Sequence, residues 1–142
     1  QIRVWVAGCA TGEEAYSIAV LLAEALGGIE KLKKTNVQIF ASDIDEHALE
    51  VGRRGVYPGT AAADIPDHLL ERYFEFNGGN LQVAPAVRSV VLFSRHNVAQ
   101  DPPIINVDQV TQRNILKNFN TNQQERVLRR VHYARAPLLG HF

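Results

Sequence analysis

A chain of 142 residues, 46% of them hydrophobic, is long enough for one domain, residues 1–142, to bury a single core. Lysine plus arginine equals aspartate plus glutamate at 15 each, so no net field draws in nucleic acid or an acidic membrane surface. The single cysteine, Cys9, excludes an internal disulfide and no apolar run approaches the ~20 residues that insert into a membrane, a combination that fits a reducing cytoplasm.

Gln1 leads straight into Ile2-Arg3-Val4-Trp5-Val6-Ala7, which reads as a strand. With no methionine, no signal peptide and no polar linker at either end, the sequence reads as a piece of a larger protein. Gly8 to Gly12 follows as a tight loop, and Glu13 to Leu26 as a helix whose Ala15, Ile18, Ala19, Leu22 and Leu26 recur at helical spacing before the Gly27-Gly28 stop. Lys31 to Asn36 reads as a polar connection and Val37 to Ser42 as a second strand. Asp45 is placed to cap a short helix that runs through Arg54 and ends at Gly55.

Further along, Asp67 is expected to cap a helix over His68 to Tyr73. The segments Tyr73 to Phe76 and Leu81 to Ala84, joined by Asn77-Gly78-Gly79-Asn80, read as a small antiparallel hairpin inserted over about residues 73–85. Val90 to Phe93 is a third core strand, Val107 to Thr111 a fourth, and Thr121 to Ala134 a last helix with Gln124 completing a capping box. Strands alternating with helices predict an α/β fold, a parallel sheet with helices on both faces and right-handed crossovers. Ligands of such sheets sit beyond the carboxyl ends of the strands, where strand order reverses.

Residues able to grip a nucleoside follow each strand at once: Gly8 to Gly12, then Asp43, then Asn97, then Arg113-Asn114. Gly8 and Gly12 allow close approach of backbone to a ligand, and a carboxylate after the second strand suits paired ribose hydroxyls. A phosphate loop would carry Gly-Lys followed by Ser or Thr, and a dinucleotide site would carry Gly-x-Gly-x-x-Gly with an acid ~20 residues on. Here the loop carries Glu13 and Glu14, and Asp43 lies 31 positions after Gly12. Two carboxylates at a helix N-terminus repel a pyrophosphate and attract a ligand with cationic groups, which favours S-adenosylmethionine over NAD. Thr11-Gly12-Glu13-Glu14 also has the form of a capping box, which gives Glu14 a role without any ligand.

The run Val4-Trp5-Val6-Ala7-Gly8-Cys9-Ala10-Thr11-Gly12-Glu13-Glu14-Ala15-Tyr16-Ser17-Ile18-Ala19 resembles the signature of the CheR-type chemotaxis receptor methyltransferases. Phe40-Ala41-Ser42-Asp43-Ile44-Asp45, Gly55-Val56-Tyr57-Pro58, His96-Asn97-Val98, Asp101-Pro102-Pro103 and Arg113-Asn114 recur in that family's order, and the Asp-Pro-Pro segment resembles forms fused to other signalling domains. The resemblance implies a truncated Rossmann-like class I methyltransferase sheet and an enzyme that methylates glutamate carboxylates on chemotaxis receptors. Its cofactor would be S-adenosyl-L-methionine, its products S-adenosyl-L-homocysteine and a glutamyl methyl ester. By the same resemblance Glu14 and Asp43 hold the amino-acid and ribose ends of the cofactor, Asn97 and Val98 lie by the adenine, and Arg113 and Asn114 line the methyl end. The implied partners are the cytoplasmic helices of the receptor and the family's N-terminal helical domain, which this sequence lacks. No metal is implied.

Asn118 stands where the family usually places a tyrosine close to the methyl group, and Gln109, Gln112 and Lys117 replace apolar residues or cysteine around the fourth strand. Such polar changes suit an exposed sheet edge. They also open an alternative, a cofactor-binding or scaffold module of a signalling protein that no longer transfers methyl groups. Cys9 is expected to be a small packing residue, and His47, His68, His96, His132 and His141, which lack metal-ligand spacing, to have solvent or packing roles. Arg126, Arg129, Arg130 and Arg135 read as a solvated face of the last helix, with Val127, Leu128 and Val131 as its core stripe.

Overall fold

A computed structural model describes residues 1–97, 100–102 and 107, together with the backbone of residues 109–112. Strand β1 (Ile2–Ala7), helix α1 (Glu13–Leu26), helix α2 (Ile29–Lys34), strand β2 (Val37–Asp43) and helix α3 (Glu46–Arg54) form the first half. Strand β3 (Val56–Pro58), a 3-10 helix (Gly59–Asp64), helix α4 (Asp67–Tyr73), strands β4 (Phe74–Asn77) and β5 (Asn80–Val83) and helix α5 (Pro85–Arg88) come next, before strands β6 (Val91–Arg95) and β7 (Gln109–Gln112).

Among the described residues, two sheets result, a parallel one in the order β6-β2-β1-β7 and an antiparallel one in the order β3-β5-β4. The α/β architecture expected from the alternation is therefore present, and β7 is the last strand of the parallel order among the described residues. The helix expected over Thr121 to Ala134, with its arginines and apolar stripe, lies outside the described residues, as do Lys117 and Asn118.

Period-two alternation decides what each face of the parallel sheet does. Ile2, Val4 and Val6 of β1 and Val37, Ile39 and Ala41 of β2 join α1, α2 and α5 in the core. On the opposite face Arg3 donates to Gln38 at 2.9 Å and lies over the Phe40 ring at 4.7 Å, and Trp5 donates to the buried Ser42 hydroxyl at 2.9 Å. Helix α1 buries Ala15, Ile18, Ala19, Leu22 and Leu26 and ends where Gly27, at φ 113°, turns its N–H back to the carbonyls of Ala23 and Glu24.

The structure departs from the sequence reading in several places. Lys31 to Asn36 is not a plain connection, since α2 occupies most of it and buries Leu32 alone. Asp67 is the first residue of α4 rather than its cap, a position taken by Pro66 without any side-chain bond. The hairpin gains a third strand, because Val56, Tyr57 and Pro58 pair with Gln82, Leu81 and Asn80. Asp45 does cap α3, accepting from the N–H groups of His47 and Ala48 at 3.0 and 3.2 Å. No helix among the described residues is long and apolar enough to cross a membrane.

Candidate functional site

Parallel pairing aligns the carboxyl ends of the strands: Ala7 lies opposite Ser42 on one side and Gln112 on the other, and Asp43 opposite Arg95. Strand order reverses at β1, because β2 and β6 extend the sheet to one side and β7 to the other. The crevice at a switch point of this kind is the usual ligand position of an open α/β sheet. Here the Gly8 to Gly12 loop leaves β1 at that point, Asp43 closes β2, and Asn97 follows β6 by two residues. Arg113 and Asn114 come directly after Gln112 but, like Val98, lie outside the described residues.

The loop is held in an unusual backbone path. Gly8, Ala10 and Gly12 all have positive φ, at 72°, 52° and 94°, and Ala10 is the one residue other than glycine to do so among the described residues. Such a path persists only where surrounding bonds over-determine it. Four bonds do so: Cys9 N–H to the Ser42 carbonyl at 2.9 Å, Ala10 N–H to Asp43 Oδ2 at 2.9 Å, Gly12 N–H to the Cys9 carbonyl at 3.0 Å, and the Tyr57 hydroxyl to the Thr11 carbonyl at 2.7 Å. Asp43 reaches both ways, since its Oδ1 accepts from the Asp45 N–H at 2.9 Å.

Beneath the loop lies a packed layer that the motif reading did not single out. Gly12 and Gly52 leave room for the Phe93 ring, and an added Cβ would stand 2.9 and 2.5 Å from that ring respectively. Tyr16 contacts Phe93 and Tyr57 and donates its hydroxyl to the Gly52 carbonyl at 2.6 Å. Tyr16 and Tyr57 both fall within the runs that carry the family resemblance, and a tyrosine at a core position of a helix is the signal that could have found the first. Burial raises both phenols above their usual pKa, so each hydroxyl keeps its proton for donation. Replacing Tyr57 by phenylalanine leaves the Thr11 carbonyl without this donor, and an unfolding midpoint measured in urea is expected to show a loss of about 1 kcal/mol.

The capping-box alternative is not realised. Gly12, not Thr11, is the N-cap of α1, no side chain caps the helix, and the Thr11 hydroxyl donates instead to the Glu13 carboxylate. Glu13 and Glu14 both stand in the first turn, Glu13 exposed and Glu14 half-buried with one carboxylate oxygen fully covered. The loop from Gly8 to Glu14 carries no basic residue, and Asp43 adds a third carboxylate beside its two acids.

Cys9 is buried in the same loop. Burial first, and then the nearby Asp43 carboxylate, push its thiol from 9.0 up to about 12, which makes it a poor nucleophile. In the folded protein at pH 8 it is expected to resist maleimide, and urea should release its reactivity. The folded thiol keeps its proton in a range where the unfolded one loses it, so this residue's share of stability, full below pH 9.0, falls as pH rises towards about 12.

A family model described as "CheR methyltransferase, SAM binding domain" matches residues 1–138. The chain is 44% identical over 133 residues to an uncharacterized 104.1 kDa protein of Rhodobacter capsulatus, covering 94% of this chain and 14% of that protein. It is 36% identical over 136 residues to chemotaxis protein methyltransferase 2 of Pseudomonas aeruginosa, covering 92% and 47%. Against the chemotaxis protein methyltransferase of Salmonella typhimurium it is 36% identical over 138 residues, covering 92% and 46%. The chain thus spans about half the length of these two methyltransferases.

Proposed function

The chain belongs to the CheR methyltransferase family, of which it is the S-adenosylmethionine-binding domain, and on that premise we propose that it serves methylation of glutamate carboxylates on chemotaxis receptors, giving glutamyl methyl esters and S-adenosylhomocysteine. The observation that carries this reading is the acidic loop at the switch point, with Glu13 and Glu14 in the first turn of α1 and Asp43 across from the loop. Its chemistry fits the cofactor. An ammonium and a sulfonium are stabilised by carboxylates, whereas the pyrophosphate of NAD is repelled.

Asp43 commits one acceptor position on each oxygen to backbone N–H groups, and a carboxylate with about four such positions can still accept from a ribose. Gly8 and Gly12 hold the backbone close, Glu14 faces the amino-acid end, Asn97 and Val98 the adenine, and Arg113 and Asn114 the methyl end. When bound, S-adenosylmethionine supplies an electrophilic methyl group. The acceptor carboxylate is already ionised at neutral pH, so the chain's task is alignment and exclusion of water rather than proton abstraction. The receptor's cytoplasmic helices are the proposed partner, with an N-terminal helical domain completing the site.

A transfer assay with methyl-labelled cofactor and a receptor fragment, run with and without that N-terminal domain, tests the reading. Label on glutamate should be released as methanol by mild alkali, as an ester is. Alkali-stable label, or none in either arm, counts against it. Asn118 favours a second reading, a cofactor-binding or scaffold module, for which the same assay shows no transfer while S-adenosylhomocysteine still binds.

A further inference from the structure

We infer that His96 is a positioning residue that fastens the turn carrying Asn97 to the end of the sheet. This rests on the reading of that turn as the nucleoside side of the site. His96 follows β6 directly, and its backbone N–H donates to the Asp43 carbonyl at 3.0 Å, so its main chain is fixed beside the ribose carboxylate. Its ring stands edge-on to Trp5, with centroids 5.3 Å apart and planes at 88°. Trp5 is a rigid platform, since it is 6% exposed and its indole N–H is held by Ser42.

The ring's other end reaches past the turn. Nε2 lies 2.7 Å from the Pro102 carbonyl oxygen, which can only accept, so this nitrogen is the donor. Among the described residues Nδ1 is buried without a hydrogen-bond partner, and the polar contact the ring makes is the one that holds the chain at Pro102. Between the two anchors the turn closes on itself: Asn97 N–H donates to the Asp101 carboxylate at 2.8 Å, and the Asn97 carbonyl accepts from the N–H groups of Gln100 and Asp101 at 3.1 and 2.8 Å. Those bonds tie Asn97 to Gln100 and Asp101 but do not tie the three to the sheet. His96 supplies that tie, gripping the start of the turn through its main chain and the far side through its ring.

Two substitutions in the full chain separate this from simple packing. His96→Phe keeps a ring against Trp5 and loses the donor, whereas His96→Gln loses the ring and keeps an N–H able to reach Pro102. With S-adenosylhomocysteine and with adenosine alone, His96→Phe is expected to weaken binding by about tenfold, by the same factor for both, and His96→Gln by no more than about threefold. In the ligand-free protein the Asp101 amide should exchange about tenfold faster in His96→Phe and near the wild-type rate in His96→Gln. Should His96→Phe fail to fold, His96→Asn, too short to reach Pro102, takes its place. Wild-type affinity and exchange in the variant lacking the donor, or equal losses in both variants, overturn the inference. If the wild-type chain binds neither ligand, the nucleoside reading fails by itself, and Asp101 exchange alone decides the role of His96.

Discussion

Gly12→Ala is expected to destabilise the fold by about 3 kcal/mol and to abolish detectable binding of S-adenosylhomocysteine. Two costs add. The left-handed backbone at φ 94° costs a residue with a Cβ about 1–2 kcal/mol, and the new methyl group would stand 2.9 Å from the Phe93 ring and 3.2 Å from the Gly52 Cα, an overpacking worth about 1–3 kcal/mol. Thermal denaturation should register the sum as a fall of roughly 10 °C. Gly78 provides the control: at φ 58° with nothing within 4 Å of its added Cβ, Gly78→Ala should carry the backbone cost alone. Pairing Gly12→Ala with Phe93→Leu should recover part of the packing cost and none of the backbone cost. Equal losses for Gly12→Ala and Gly78→Ala would show that the layer beneath the loop is not tightly filled.

If Asp43 takes the proposed ribose role, Asp43→Asn is expected to lower affinity for S-adenosylhomocysteine by about a hundredfold or more, because charge-assisted bonds to two hydroxyls would be worth about 1.5–3 kcal/mol each. The substitution preserves size. What it changes is that one side of the amide must present its NH2 group to a backbone N–H, either that of Ala10 or that of Asp45, where the carboxylate accepted from both at 2.9 Å. The loop therefore loosens as well, with an expected stability loss of about 1–3 kcal/mol. Calorimetric titration read beside urea unfolding separates the two effects. Undiminished binding in a destabilised variant would leave Asp43 as a structural clamp only.

The sequence made the loop and its flanking elements legible because their signals are local. Helix α1 has a complete apolar stripe and a glycine stop, and α3 has a real cap in Asp45. Where the deciding partner lies far along the chain, the signal was weak. Val56 to Pro58 becomes a strand only through pairing with residues 80–82, and its proline argues against a strand when read alone. Helix α2 was hidden because one buried residue, Leu32, among Lys31, Lys33 and Lys34 makes no stripe. Thr11 looked like a cap by spacing, yet Gly12 at positive φ turns the chain into the helix and leaves the threonine hydroxyl to Glu13.

The site divided in the same way. Residues proposed to touch a ligand stood out by chemistry and position, as the acid at the end of β2 did. Residues that support them, Tyr16, Tyr57 and Phe93 beneath the loop and Trp5 beside His96, resemble ordinary core until their hydroxyls, ring contacts and indole N–H find partners.

The central claim, an acidic switch-point loop built for a nucleoside that carries an ammonium group and no phosphate, is tested most directly by calorimetric titration of the wild-type chain with S-adenosylhomocysteine and, in parallel, with NAD. Saturable one-to-one binding of the first and none of the second is the predicted result, whereas binding of NAD without S-adenosylhomocysteine would contradict it.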